Sequence, residues 1–297
     1  MKFLGIILVF VCTFGGLLVA MHFKMDHFGH LMMLILSAMP GEMLIIMGCA
    51  ICAFIIGNTS ETVKYTLKYF KALAKPSAYS KDDYIELFSA LYMIFKQAKM
   101  KGWLSLEKHI ENPHESDLFG KFPGFQHNHH AVTFLADYLR LISLGNENPH
   151  QMADLMDLEI ETIEAHESHP GHAVQHMADG IPALGIVAAV LGVIKTMASI
   201  SEPPEVLGQM IGGALVGTFL GVWLSYAFVS PIAGAMTGRA QSEVMYYKIM
   251  KTVMIAYLNG AAPQVAVEFG RKTLPHDIQP GFLELEAKLN ELPPPTA

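Results

Sequence analysis

Four stretches of the chain are apolar over lengths near the roughly 20 residues that cross a bilayer core, at about 3–21, 34–57, 180–200 and 210–233. Between the second and third, residues 58–178 turn polar and repeat their apolar positions at helical spacing, and residues 234–297 follow the fourth in the same manner. The pattern predicts an all-α integral membrane protein with four transmembrane helices and a large helical cytoplasmic region. Its organisation reads as spans one and two with a short outer loop (1–57), a cytoplasmic helical domain (58–178), spans three and four (179–233) and C-terminal cytoplasmic helices and tail (234–297). The apolar run that follows Met1-Lys2 is longer than a signal-peptide core and lacks a small-x-small cleavage site before a mature domain, so it reads as the first span.

Within the polar regions, Asp82–Met100 places Ile85, Phe88, Leu91, Tyr92 and Phe95 at helical intervals, with Ser80 and Asp83 spaced for a capping box and Gly102 as the stop. Further helices are expected over 128–144, 148–168 and 239–260. Asn112-Pro113, Phe122-Pro123-Gly124 and Asn259-Gly260 punctuate them. The Pro293-Pro294-Pro295 end is expected to be unstructured.

Composition sharpens this reading. Hydrophobic residues make up 52% of the chain and charged ones 16%, too apolar for a soluble protein of this size. The formal charge of -7 offers no basic footprint for phosphates, which excludes a nucleic-acid partner. Eleven Lys and Arg lie in 58–178 and six in 234–297, against Lys24 alone in the 22–33 loop and none in Ser201–Gln209. By the positive-inside rule, weighed at the span ends by Lys64, Lys68, Lys71 and Arg239, both termini and the large loop face the cytoplasm.

The interiors of spans three and four contain no carboxylate, although an ion path through a bilayer needs a group that binds and releases the ion. If these spans line a path, another chain supplies that group. Gly213, Gly217 and Gly221 recur every four residues and form a flat groove along one face of the fourth span, and the third span offers its own small face through Gly185, Ala188, Ala189 and Gly192. Such a ladder serves either plain helix packing or a partner helix that moves against it. Thr218, the central hydroxyl of span four, either bonds back to its own helix or lines a pore. Pro182 and Pro231 each remove a backbone donor near a cytoplasmic span end, as terminators or as hinges.

Cys12, Cys49 and Cys52 lie in apolar segments, where small thiols pack well in buried helices. Ten of the fourteen histidines fall between His109 and His176, but they form no closed ligand set. His169, His172 and His176 stand at helical spacings that Pro170 interrupts. No Walker loop, nucleophile elbow, dinucleotide fingerprint or zinc-protease HExxH is present, so neither a metal, a cofactor nor covalent catalysis is expected.

Several ordered motifs resemble the flagellar motor stator subunits of the MotA family: Ser105-Leu106-Glu107 running into Ile110-Glu111-Asn112-Pro113, Asp137-Tyr138-Leu139-Arg140-Leu141, Pro182–Val190, Val216–Gly221 and Ala266–Lys272. The resemblance covers almost the whole chain. It implies a homopentamer in the bacterial inner membrane, surrounding a dimer of MotB whose aspartate carries the ion, with a charged surface engaging the rotor protein FliG. It further implies that Glu107 and Lys99 are rotor contacts, Lys99 standing where the family often has Arg, which keeps the charge but loses the planar fork. Pro182 and Pro231 become coupling hinges, Thr218 and Ala189 line the ion path, and Gly213, Gly217 and Gly221 pack around the partner. Sodium-driven relatives carry a hydroxyl where this chain has Ala189, and a dehydrated sodium ion needs several oxygen ligands, so protons are favoured. Rival readings are an energy transducer resembling ExbB or TolQ, which has three spans, and a self-sufficient transporter, for which Glu42 is the only acid near the spans.

Overall fold

The computed structural model describes residues 2–73 and 79–294. The chain is helical, with no strand among the described residues: α1 (Lys2–Ala20), α2 (Met25–Gly57), α3 (Ser60–Ala72), α4 (Lys81–Lys101), α5 (Glu107–Glu111), α6 (Pro123–Gln126), α7 (His129–Ser143), α8 (Pro149–Ala198), α9 (Pro204–Leu224), α10 (Ser230–Leu258), α11 (Pro263–Lys272) and α12 (Phe282–Asn290). A π-helical segment, Ser225–Val229, joins α9 to α10. Three helical stretches are long and apolar enough to cross a membrane, Met25–Gly57, Pro149–Ala198 and Pro204–Leu258, and Leu4–Ala20 is a shorter apolar one.

Several expected breaks do not occur. The 22–33 loop shrinks to a tight turn before Met25, and the loop after the third apolar stretch ends at Pro204 rather than at Gln209. The helix expected over 148–168 continues without interruption through Pro170 and Pro182 to Ala198, so neither proline terminates it and His169, His172 and His176 lie on continuous helix. Pro231 follows the π-helical segment inside the continuous helical stretch Pro204–Leu258, so it does not terminate a helix either. Each proline removes only one bond from a ladder that neighbouring turns still hold. Cys12, Cys49 and Cys52 are free and lie on exposed helix faces rather than in packed interiors. Pro293 and Pro294 carry no helix, and Pro295 lies outside the described residues.

Two compact units share the chain, one made of Met1–Lys75 with Ser168–Gly238 and the other of Pro76–Glu167 with Arg239–Ala297. The division therefore falls inside α8, ahead of the 178/179 boundary drawn from hydropathy.

In the first unit α2, α8 and α9 pack on one another through small residues. α1 is fastened to α9 by aromatic contacts. The Trp223 ring meets Phe10 edge-on at 5.0 Å and Phe14 at 5.9 Å, and its indole Nε1–H donates to Thr13 Oγ1 at 3.0 Å. Aromatic pairs of this geometry add about 0.5–1.5 kcal/mol beyond burial, which helps hold a helix that has little polar contact of its own.

The second unit has a conventional hydrophobic core. α4 is capped as its sequence predicts: Asp83 N–H donates to Ser80 Oγ at 3.3 Å and Ser80 N–H to Asp83 Oδ2 at 2.7 Å. It buries Phe88, Leu91 and Phe95 against α11, α12 and the aromatic face of α10, and Gly102 ends it at φ +77°, a left-handed conformation favouring glycine. Tyr79 stacks on Tyr246 at 4.2 Å. Lys248 pairs with Glu164 at 2.7 Å and Lys251 with Asp157, joining α10 to α8 within this unit.

Candidate ion path and torque-coupling site

The glycine ladder meets the opposing small face at backbone distance. A Cβ on Gly185 would lie 2.8 Å from the Gly217 carbonyl oxygen and 2.9 Å from Gly221 Cα, and one on Gly192 would lie 2.6 Å from Ala214 Cβ. From the other side, a Cβ on Gly217 would lie 3.1 Å from Ala189 N and 3.2 Å from Ala188 Cβ. Gly221 is therefore used by α8 of the same chain and Gly217 by both α8 and α2, whereas Gly213 looks toward Ala38 of α2 at 3.8 Å. The close approach sets Ala189 and Thr218 at one level of the α8–α9 contact, both half-buried. Among the described residues the Thr218 hydroxyl makes no hydrogen bond, whereas Thr196 and Thr237 bond back to the carbonyls of Gly192 and Ala233. Its oxygen is thus free, unlike that of an ordinary helix threonine.

Ser225 and Ser230, near the end of the fourth apolar stretch, make bonds to α8 that sequence alone does not show. Pro182 has no N–H to return to the carbonyl four residues earlier, which belongs to Ala178. The Ser225 hydroxyl donates to that oxygen at 2.7 Å, and Ser225 is only 1% exposed. A carbonyl orphaned by one proline is thus satisfied from the π-helical segment that precedes the other, since Pro231 follows Val229 by two residues. A second link runs from Ser230 Oγ to Gln175 Oε1 at 3.1 Å, and Gln175 Nε2 donates in turn to Asp179 Oδ1 at 2.8 Å. The π segment departs from the local i→i−4 ladder and is tied to α8 by these bonds. The signal available in sequence was a serine on one helix and a missing donor on another; only the fold shows that they meet.

In the second unit Lys99 and Glu107 are exposed and, among the described residues, make no ion pair. The turn between them is rigidly built. Gln97 Nε2 donates to the Ser105 carbonyl at 3.1 Å, and Trp103 packs edge-on against Tyr257 at 5.7 Å. Met100 and Leu104 are exposed between the two charges, at 64% and 79%. Two exposed charges without an ion pair among the described residues thus flank a pair of exposed apolar side chains.

Just beyond, the His109 ring is buried, with Nδ1 2.9 Å from Ser116 Oγ and 3.7 Å from Asp117 Oδ1. Burial holds its pKa below the ordinary 6.5, against the opposing pull of Asp117. The remaining histidines stay unassigned by the geometry: no group of three His, Cys, Asp or Glu that could hold a metal occurs among the described residues.

Comparison with known proteins agrees with these features. Residues 3–102 match the motility protein A N-terminal family and residues 126–249 the MotA/TolQ/ExbB proton channel family. The chain is 40% identical over 283 residues to motility protein A of Salmonella typhimurium, covering 95% of this chain and 92% of that protein. It is 41% identical over 247 residues to motility protein A of Escherichia coli, covering 83% and 84%. Among solved structures, the flagellar MotAB stator complex from Bacillus subtilis aligns with a TM-score of 0.67 at 26% identity, over 92% of this chain and 95% of that one.

Proposed function

The chain belongs to the motility protein A family and is a flagellar stator subunit that forms a proton channel, and from that premise we propose how its residues divide the work. Four membrane helices, α1, α2, the apolar part of α8, and α9, sit in the bacterial inner membrane with both termini in the cytoplasm. Five copies surround a MotB dimer, whose carboxylate carries the proton that this chain's third and fourth spans cannot. Lipid covers the outward apolar faces of these helices.

Thr218 and Ala189 line the path. The free Thr218 hydroxyl supports this, because an uncommitted intramembrane oxygen can exchange hydrogen bonds with water or with the partner's carboxyl. Ala189 offers no side-chain oxygen, so the site lacks the ligands that a dehydrated sodium ion demands. Pro182 and Pro231 couple proton transfer to movement, and the observation that carries this reading is the Ser225 bond to the carbonyl that Pro182 leaves without a donor. Gly213 keeps a small face near α2, toward the partner helix, while Gly217 and Gly221 let α8 and α9 move as a close pair. Lys99 and Glu107 deliver the motion to FliG.

The test is swimming of stator-deleted cells that express this chain with its MotB, first under a proton gradient and then under a sodium gradient alone. Rescue that follows the proton gradient is expected. Rescue that requires sodium overturns the ion assignment, and no rescue despite membrane assembly overturns the stator reading.

A further inference from the structure

Glu42 stands out on physical grounds. It lies in α2, beyond Pro40, and among the described residues its Oε2 is one of two buried side-chain atoms with no hydrogen-bond partner, the other being Gln97 Oε1. A buried, unpaired carboxyl oxygen is costly. Here it is aimed at the glycine ladder: a Cβ on Gly217 would lie 2.5 Å from it. The carboxyl therefore ends beside the level of Thr218 and Ala189.

The rest of the side chain borders a cavity of about 400 Å³ between α2, α8 and α9, whose polar lining is Ser37, Glu42, Lys195 and Gln209. A neighbouring cavity of about 670 Å³ shares Leu34, Ser37 and Gln209 with it and reaches His27 and His30 on the first turns of α2. The first cavity is large enough for water and offers it several polar partners, and the second, more apolar, brings the two imidazoles and the shared Ser37 and Gln209 to its edge. Imidazoles and carboxyls at successive positions along wet cavities are the groups that pass protons. Lys195 is the charged group facing Glu42 from α8, and α9 contributes only the neutral Gln209.

We infer that this chain carries its own proton-handling site, in which Glu42, reached through a vestibule of His27, His30, Ser37 and Gln209, exchanges protons upstream of the carboxylate that a partner supplies. The inference rests on the proton-channel reading above. A proton taken from water onto a Glu42 oxygen is given back from the same carboxyl, so the group is regenerated at each passage and nothing else is consumed. Lys195 opposes cation arrival from the other wall, and the balance of the two charges sets the rate at which protons reach the path. Such a site tunes conductance; the partner's carboxylate remains the essential carrier.

The test is proton uptake by vesicles that contain the full chain assembled with its MotB, measured for wild type, Glu42→Gln, Glu42→Asp and Lys195→Gln. A cleft lined by one sign of charge raises local counter-ion concentration by about tenfold at the low end, and one carboxylate opposed by Lys195 falls at or below that, so Glu42→Gln is expected to slow uptake by about three- to tenfold. Glu42→Asp should retain most of the flux, and Lys195→Gln should move it in the opposite direction. Uptake by Glu42→Gln equal to that of wild type overturns the inference. So does a parallel fall in Glu42→Gln and Lys195→Gln, which marks a packing role. Should Glu42→Gln fail to assemble, the exposed His27→Gln/His30→Gln pair carries the test: slowed uptake upholds the vestibule and unchanged uptake removes it. An inactive wild-type complex instead refutes the channel reading itself, so the two failures are told apart.

Discussion

Replacing Ser225 by alanine removes one hydroxyl, yet its effect is set by a residue on another helix. In most helices an acceptor that loses a side-chain donor keeps its own i+4 N–H. The Ala178 carbonyl has no such reserve, because position 182 is proline. Intramembrane hydrogen bonds average only about 0.6 kcal/mol and reach about 1.7, since the separated helices find other partners. A buried acceptor left unsatisfied costs about 1–3 kcal/mol. Overlap of the two ranges gives about 1.5 kcal/mol for Ser225→Ala, or roughly a tenfold change in the population with this link intact. The assay is a double-mutant cycle on the detergent-solubilised complex, with unfolding midpoints for wild type, Ser225→Ala, Pro182→Ala and the pair. The Pro182→Ala substitution restores the missing N–H, so Ser225→Ala should cost little in that background, leaving a coupling of about 1 kcal/mol or more. Equal costs of Ser225→Ala in the wild-type and Pro182→Ala backgrounds would refute the reasoning. Tethered-cell rotation of Ser225→Ala, expected to be slowed with Pro182 in place, reports whether the link also transmits force.

Other consequences can be checked in parallel. Gly185→Ala should destabilise the assembled complex by about 1–3 kcal/mol, as overpacking does, because its Cβ would meet backbone atoms of Gly217 and Gly221, whereas Gly234→Ala, with nothing within 4 Å, should be near neutral in the same thermal melt. His109 has its pKa lowered by burial, so the unfolded chain binds the proton more readily; stability should fall as pH drops through 6.5 toward the lowered value and be fully present above it. His109→Gln should flatten that dependence in melts between about pH 5 and pH 7. Lys99→Glu and Glu107→Lys should leave stability within about 0.5 kcal/mol, both being exposed and without an ion pair among the described residues. Each should impair swimming, with recovery on a complementary reversal in the rotor protein; unchanged swimming would return both to the class of solvated charges.

Much of the molecule is legible in the sequence because its determinants are local. Long apolar stretches become helices wherever they lie, since the backbone must satisfy its own hydrogen bonds away from water. The Ser80–Asp83 cap and the Gly102 stop need only neighbours within one turn. What sequence left open were the breaks. Pro170, Pro182 and Pro231 look like punctuation, yet helix runs through all three, because each removes only one bond from a ladder that neighbouring turns still hold. The glycine ladder was visible as a groove, but only the fold assigns Gly221 to α8, shares Gly217 between α8 and α2, and turns Gly213 toward α2. The same holds for Ser225 and Glu42. A hydroxyl or a carboxyl announces its chemistry at once, whereas its partner, or the want of one, is decided by residues tens to more than a hundred positions away that only tertiary packing brings to the same place.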